Sequence, residues 1–155
     1  MSQIIEQRLE GLGIFLQEAP VAVGNYVPCV IDGNLLFISG QVPIENGTVR
    51  FKGHLGKDVD VETGQQAARL CCINLLTQAK TALGDLDRIE RLVRLGGFVA
   101  ATPDFTDHAK VINGASDLMV EVFGDQGLHC RAAIGCSSLP LGSAVEVEAL
   151  FHIKS

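Results

Sequence analysis

The sequence predicts an α+β fold, a sheet of apolar strands with two helices on one face. Three observations predict it. Two segments repeat apolar residues at helical spacing, short apolar runs lie between Gly, Pro, Asn and Asp, and their order is strands, long helix, strand, helix, strand, strand. With 155 residues, 47% of them hydrophobic, the chain has the size of one domain and enough apolar mass for a core without staples. We read residues 1–155 as one domain, with 1–20 as an N-terminal extension.

Residues 2–12 predict a short amphipathic helix, because Ile4, Ile5, Leu9 and Leu12 recur at helical spacing before Gly11 and Gly13 disrupt it. From Gln17 to Pro28, small residues, Pro and Gly predict a loop leading into Val30-Ile31. Asp32-Gly33 with Asn34 is a tight hairpin signal, and Leu35–Ser39 follows as a buried strand ended by Gly40 and Pro43. Residues 44–58 predict a connector with one edge strand near Thr48–Phe51. Its glycines lack phosphate-loop spacing, and Lys57 is not followed by Ser or Thr.

A long helix is predicted over residues 60–83. Asp58, Asp60 and Glu62 suit its N-terminus, Ala67, Leu70, Cys71, Asn74, Leu75 and Ala79 follow one face, and Gly84 closes it. Asn74 reads as a buried polar residue serving backbone groups. A strand from Arg91 to Ala100 comes next. After Pro103, Val111, Ile112, Ala115, Leu118, Met119, Val122 and Phe123 mark a second helix, stopped by Gly124 and Gly127. Two strands end the chain, residues 130–138 and 145–153. In the last, Val145, Val147, Ala149, Phe151 and Ile153 share one face, while Leu150 interrupts the polar one. Apolar residues on both sides of the sheet predict that another copy of the chain covers the face opposite the helices.

Charge and composition exclude several classes. The net charge is −6 and the basic residues are scattered, which disfavours nucleic acid, whose backbone is held by clustered Lys and Arg. No apolar run approaches the roughly 18 residues of a membrane span, and the N-terminus lacks a basic stretch followed by an apolar one. A cytoplasmic location is expected. Five cysteines, an odd number without CxxC spacing, read as reduced buried thiols rather than a disulfide frame. His54, His108, His129 and His152 form no metal-ligand spacing, so no metal site is expected.

The chemistry concentrates in the last two strands. Arg131 and Glu146 each stand in an apolar-rich strand where strand packing alone favours neither. Arginine is shaped to hold a carboxylate by two parallel hydrogen bonds, and a half-buried glutamate is suited to activating water. Gly24-Asn25-Tyr26, Ser39-Gly40-Gln41, Gln66 and Asn74 on the long helix, Asn113 near the start of the second helix, Arg131 nine residues before Pro140, and Val145-Glu146-Val147-Glu148 complete a pattern. In that pattern the chain resembles the YjgF/RidA family, the endoribonuclease L-PSP family of older naming, from about Asn25 to His152.

The resemblance implies a chorismate-mutase-like β-α-β-α-β-β sheet with two helices on one face, assembled as a homotrimer with clefts between subunits. It implies hydrolysis of enamines and imines of amino-acid breakdown to 2-oxo acids and ammonia. By the same resemblance Arg131 grips the substrate carboxylate, Glu146 positions or activates the attacking water, and Tyr26 and Ser39 bind substrate and steer protons. Gln41, Asn113, His129 and Ala133 are the further candidates for substrate contact. Fixed geometry is most of what so easy a hydrolysis requires, and no cofactor is needed.

Register separates the two principal residues. On a simple hairpin Arg131 would face Phe151 or His152, leaving Glu146 on the order of 17–20 Å away. Either the strands are not hairpin neighbours or the site combines different chains. The chain also departs from the family: Ala133 stands where the imine deaminases carry a cysteine, and His129-Cys130 replaces small residues or Pro. Three functional readings follow: an imine or enamine hydrolase, a non-catalytic trimer that binds a small carboxylate metabolite, and an endoribonuclease acting on single-stranded RNA. In the plainer readings Arg131 pairs with an acid at an interface, and Tyr26 and Ser39 only tie loop and strand ends together.

Overall fold

The computed structural model describes residues 3–19, 22 and 24–155. Met1 and Ser2, at the start of the expected extension and first helix, and Pro20, Val21 and Val23 of the expected loop lie outside the described residues.

Among the described residues seven strands and three α-helices follow one another. Helix α1 spans Ile4–Gly11, strands β1 and β2 span Cys29–Asp32 and Leu35–Gln41, and a small hairpin holds β3, Ile44–Glu45, and β4, Thr48–Val49. Then come helix α2, Val61–Leu83, strand β5, Ile89–Ala100, helix α3, His108–Phe123, and strands β6, Cys130–Cys136, and β7, Val145–Ile153. The main sheet has the order β1-β2-β7-β5-β6, antiparallel throughout except for β5 and β6, which run parallel. Between those two strands the chain passes through α3, the kind of crossover that a parallel pair requires.

The long helix forms for the expected reasons. Asp60 is its N-cap and accepts from the Thr63 N–H at 2.8 Å, and Gly84 takes the C-cap position with φ 79°. Its small residues Ala67, Ala68, Cys71 and Cys72 are fully buried, so α2 lies close to both the sheet and α3. Asn74 donates to the carbonyls of Val42 and Ile44, each at 3.0 Å, fastening the β3–β4 hairpin to the helix.

On β7 the burial alternates without a break, with Val145, Val147, Ala149, Phe151 and Ile153 buried beneath the helices. They meet Leu75, Leu76, Ile112, Leu118 and Met119 in one continuous core. The opposite face is open and partly apolar: Val30 is 50%, Phe37 43% and Ile134 51% exposed.

One sequence expectation needs correction. The strand near Thr48–Phe51 does not edge the main sheet; its residues 48–49 close the separate β3–β4 hairpin around Asn46 and Gly47, both at positive φ. The N-terminal helix is fastened to the rest of the domain. The Asp87 carboxylate accepts from the N–H groups of Ile4 and Ile5 at 2.9 and 3.0 Å, and Arg8 Nη1 donates to Val122 O at 2.9 Å. Burial of Ile5 and Leu9 contributes roughly 1.5–3 kcal/mol apiece.

Candidate functional site

Strand parity assigns each candidate residue to a face. Arg131 pairs with Leu95, whose side chain is fully buried under the helices, so Arg131 points to the helix face. Glu146 pairs with Phe98, between the buried Val145 and Val147, so it points to the open face. The strands β6 and β7 are not hairpin neighbours, because β5 lies between them. Two strand spacings and three residues of register put Arg131 and Glu146 about 14 Å apart. Within one chain they occupy opposite faces of the sheet and cannot touch the same small molecule.

On the helix face, Arg131 Nη1 donates to Ser116 Oγ at 3.0 Å and Nη2 to Ala109 O at 3.1 Å. His129 Nε2 lies 2.9 Å from Ser116 Oγ, and its Nδ1 lies 2.6 Å from Gly127 O. Asn113 is half-buried one turn from both Ala109 and Ser116, on the same stripe of α3. Ala133 packs partly buried against the core, and the His108 ring covers Gly135, where an added Cβ would meet its Cδ2 at 3.2 Å. Arg131, Asn113 and His129 therefore cluster at one sheet edge.

On the open face the pairing of β2 with β7 shifts between Ile38 and Gln41, so that Ser39 and Gly40 together bulge opposite Glu148. The Glu146 carboxylate lies directly over Gly40, where an added Cβ would be 2.9 Å from its Cδ. Glycine leaves room there for the carboxylate in this position, and its backbone freedom is not used. Among the described residues the Glu146 carboxylate has no hydrogen-bond or ion-pair partner. Burial first, and the charge of Glu148 second, raise its pKa above the ordinary carboxylate value.

Beside it, Arg94 Nη1 bonds Glu148 Oε2 at 3.2 Å, a half-exposed pair worth at most about 1 kcal/mol. A depression of about 330 Å³, lined by Val27, Val30, Phe37, Ser39, Arg94 and Glu148, adjoins this group. Ser39 Oγ donates to Val27 O at 3.3 Å, which ties the Tyr26 loop to the bulge. Tyr26 itself is 53% exposed.

Gln41 belongs to neither cluster: it is buried toward α2, donates to Ser39 O at 3.0 Å and faces Gln78, so it supports the bulge from behind. Burial pushes the Cys29 thiol up to about 11 and raises those of Cys71 and Cys136, which disfavours thiolate chemistry. Among the described residues no three His, Cys, Asp or Glu side chains gather into a metal-holding group.

Sequence reasoning missed Ser116, Arg94 and the purpose of Gly40. Arg94 stands one residue from the buried Leu95, and only the pairing across to β7 shows that it meets Glu148. Ser116, one turn beyond Asn113, was within reach of the helical stripe had Arg131 been placed against α3.

Comparison with known proteins agrees with this architecture. A profile of the family described as "YjgF/chorismate mutase-like, putative endoribonuclease" matches residues 6–152. The Protein TCP17 of Trypanosoma cruzi is 43% identical over 97% of this chain and 95% of its own length. A RutC family protein of Sinorhizobium fredii is 31% identical over 90% of this chain and 96% of its own. The crystal structure of a protein of unknown function from Agrobacterium tumefaciens superposes with a TM-score of 0.92 at 49% identity, covering 99% of this chain and 94% of that one.

Proposed function

The chain belongs to the YjgF/chorismate mutase-like family, and from that premise we propose that it hydrolyses 2-imino acids and their enamine tautomers to 2-oxo acids and ammonia. One observation carries the reading: the half-buried Glu146 carboxylate, without a partner among the described residues and raised in pKa, is held over Gly40 in the condition of a general base. A carboxylate already spent in an ion pair could not take this part.

In the proposed reaction Arg131 grips the substrate carboxylate and so fixes the position and rotation of the planar imine. Water adds to C2 of the N-protonated imine as Glu146 takes one of its protons, giving a carbinolamine. Glu146 returns that proton to nitrogen, then takes the hydroxyl proton as the C=O bond forms and the C–N bond breaks, and the products are ammonia and the 2-oxo acid. Arg131 and Glu146 lie on opposite faces of one chain, so the site draws on two copies. A homotrimer that covers the apolar open face supplies them. Five unpaired cysteines support a reducing, cytosolic setting.

Direct assay of 2-iminobutyrate hydrolysis tests the proposal. Activity is expected in the parent chain and lost in Arg131→Ala; full activity in that variant sinks the assignment of Arg131. A second reading, a trimer that only binds a small carboxylate, draws support from Ala133 and from an arginine held firmly by α3. A thermal shift with 2-oxobutyrate but no turnover of the imine distinguishes it. The ribonuclease of the family's description suits the charge of −6 poorly.

A further inference from the structure

We infer that Ser116 and His129 are positioning residues that fix the plane in which the Arg131 guanidinium meets a carboxylate; the inference rests on the binding role of Arg131 proposed above. Neither residue is assigned a role by that proposal. Their function follows from the direction of four hydrogen bonds.

A carbonyl oxygen can only accept, so His129 Nδ1, 2.6 Å from Gly127 O, carries a hydrogen. The neutral ring then offers Nε2 as an acceptor, and Ser116 Oγ at 2.9 Å donates its single hydrogen there. With that hydrogen committed, Oγ presents only lone pairs. It receives the Arg131 Nη1–H at 3.0 Å, while Nη2 is held by Ala109 O at 3.1 Å.

One backbone carbonyl thus sets the tautomer of His129, the rotor of Ser116 and the orientation of Arg131 in sequence. Two of the five guanidinium N–H groups are anchored in this way. Three remain, enough for a two-bond grip on a carboxylate. A half-buried arginine held at one point would swing about its long stem, whereas two anchors on α3 hold its plane and remove orientations that bind poorly.

The test compares the parent chain with Ser116→Ala, His129→Leu, their double variant, Ser116→Thr and Arg131→Ala. Each is titrated with 2-oxobutyrate by calorimetry and assayed with 2-iminobutyrate. Ser116→Ala and His129→Leu should each weaken 2-oxobutyrate about 3–10-fold, the span of one net hydrogen bond. KM should rise by a similar factor with kcat little changed. The double variant should be no more than about twofold weaker than the poorer single one, because the chain acts as a unit, and Ser116→Thr should restore affinity.

In the parent chain, ¹⁵N NMR should show His129 as the Nδ1–H tautomer. That readout needs no variant to fold. Parent-level affinity in both single variants, or an Nε2–H tautomer, overturns the inference. Loss of binding in Arg131→Ala alone, with Ser116→Ala and His129→Leu unaffected, overturns it while sparing the role of Arg131. Unchanged binding in Arg131→Ala overturns both.

Discussion

Adding one methyl group at Gly40 should disable the base without unfolding the protein. The Cβ of Gly40→Ala would stand 2.9 Å from Glu146 Cδ and 3.1 Å from Cγ, against an ordinary carbon contact of about 3.5–4.0 Å. The carboxyl carbon must therefore retreat by about 0.6–1.1 Å, and its nearer oxygen by more. Misplacing a catalytic group by about 1 Å costs on the order of 10²-fold in rate, or about 2.7 kcal/mol of barrier.

Stability should change little by comparison. Gly40 is not at positive φ, the obstructing atoms belong to the end of a flexible side chain, and Ala in a strand recovers about 0.5–1 kcal/mol relative to Gly. The assay is 2-iminobutyrate turnover beside a melting curve, with Glu146→Gln as the reference for loss of the base. Gly40→Ala should fall close to Glu146→Gln in kcat, and the double variant should be no worse than Glu146→Gln alone. Retention of more than about a third of parental kcat with an unchanged Tm refutes the role given to the position of Glu146.

Two further outcomes follow from the same geometry. Because burial and Glu148 raise the pKa of Glu146, its base form and hence activity should fade as pH drops through a value above the ordinary ~4.3; Glu148→Gln should move that acidic limb of the kcat profile to lower pH. The folded state then binds more protons than the unfolded one between those two values, so the Glu146 contribution to stability declines as pH rises across that window. Melting curves of Glu146→Gln should gain on the parent over the same range, and a constant difference in Tm contradicts this.

Gly114→Ala tests the contact of α2 with α3. Its Cβ would be 2.8 Å from the backbone carbonyl carbon of Gln65 and 2.9 Å from its Cα, which no rotamer relieves. Even after a gain of about 1 kcal/mol in helix propensity, a loss of about 2–3 kcal/mol, or roughly 4–12 °C in Tm, is expected. A Tm within about 2 °C of the parent rejects this account of the packing.

Features governed by neighbours in sequence were legible. The helix α2 could be read from Asp60 through its apolar stripe to Gly84, and the buried face of β7 from its odd residues, because caps and periodicity act over a few residues. The order of strands could not. Nothing within 130–153 reveals that β5 inserts between β6 and β7, since that depends on pairing over long separations. Two-sided apolarity hid the face of Arg131: Ala133 and Ile134, adjacent on β6, would suit a core equally well. The β3–β4 hairpin was overlooked although Asn46-Gly47 signals it, because the strands on either side are only two residues long. The Ser39-Gly40 bulge has no sequence mark beyond the glycine, and Glu146, the side chain that lies over Gly40, is far along the chain.

The place of β7 bears on how the chain comes into being. Of the described strands β7 comes last in sequence, yet it is the middle one of the main sheet, paired with β2 on one side and β5 on the other. Until it emerges, the β1–β2 hairpin and the β5–β6 pair have no hydrogen-bonded connection within the sheet, and β2 and β5 each keep an open edge. At roughly 5–20 residues per second a growing chain needs about 1–3 s to pass from Cys136, the end of β6, to Ile153, the end of β7. Its completion depends on a pairing distant in sequence, which is intrinsically slow. Strand β7 thus acts as the keystone of assembly, and a nascent chain stalled before it presents open strand edges to every neighbouring polypeptide.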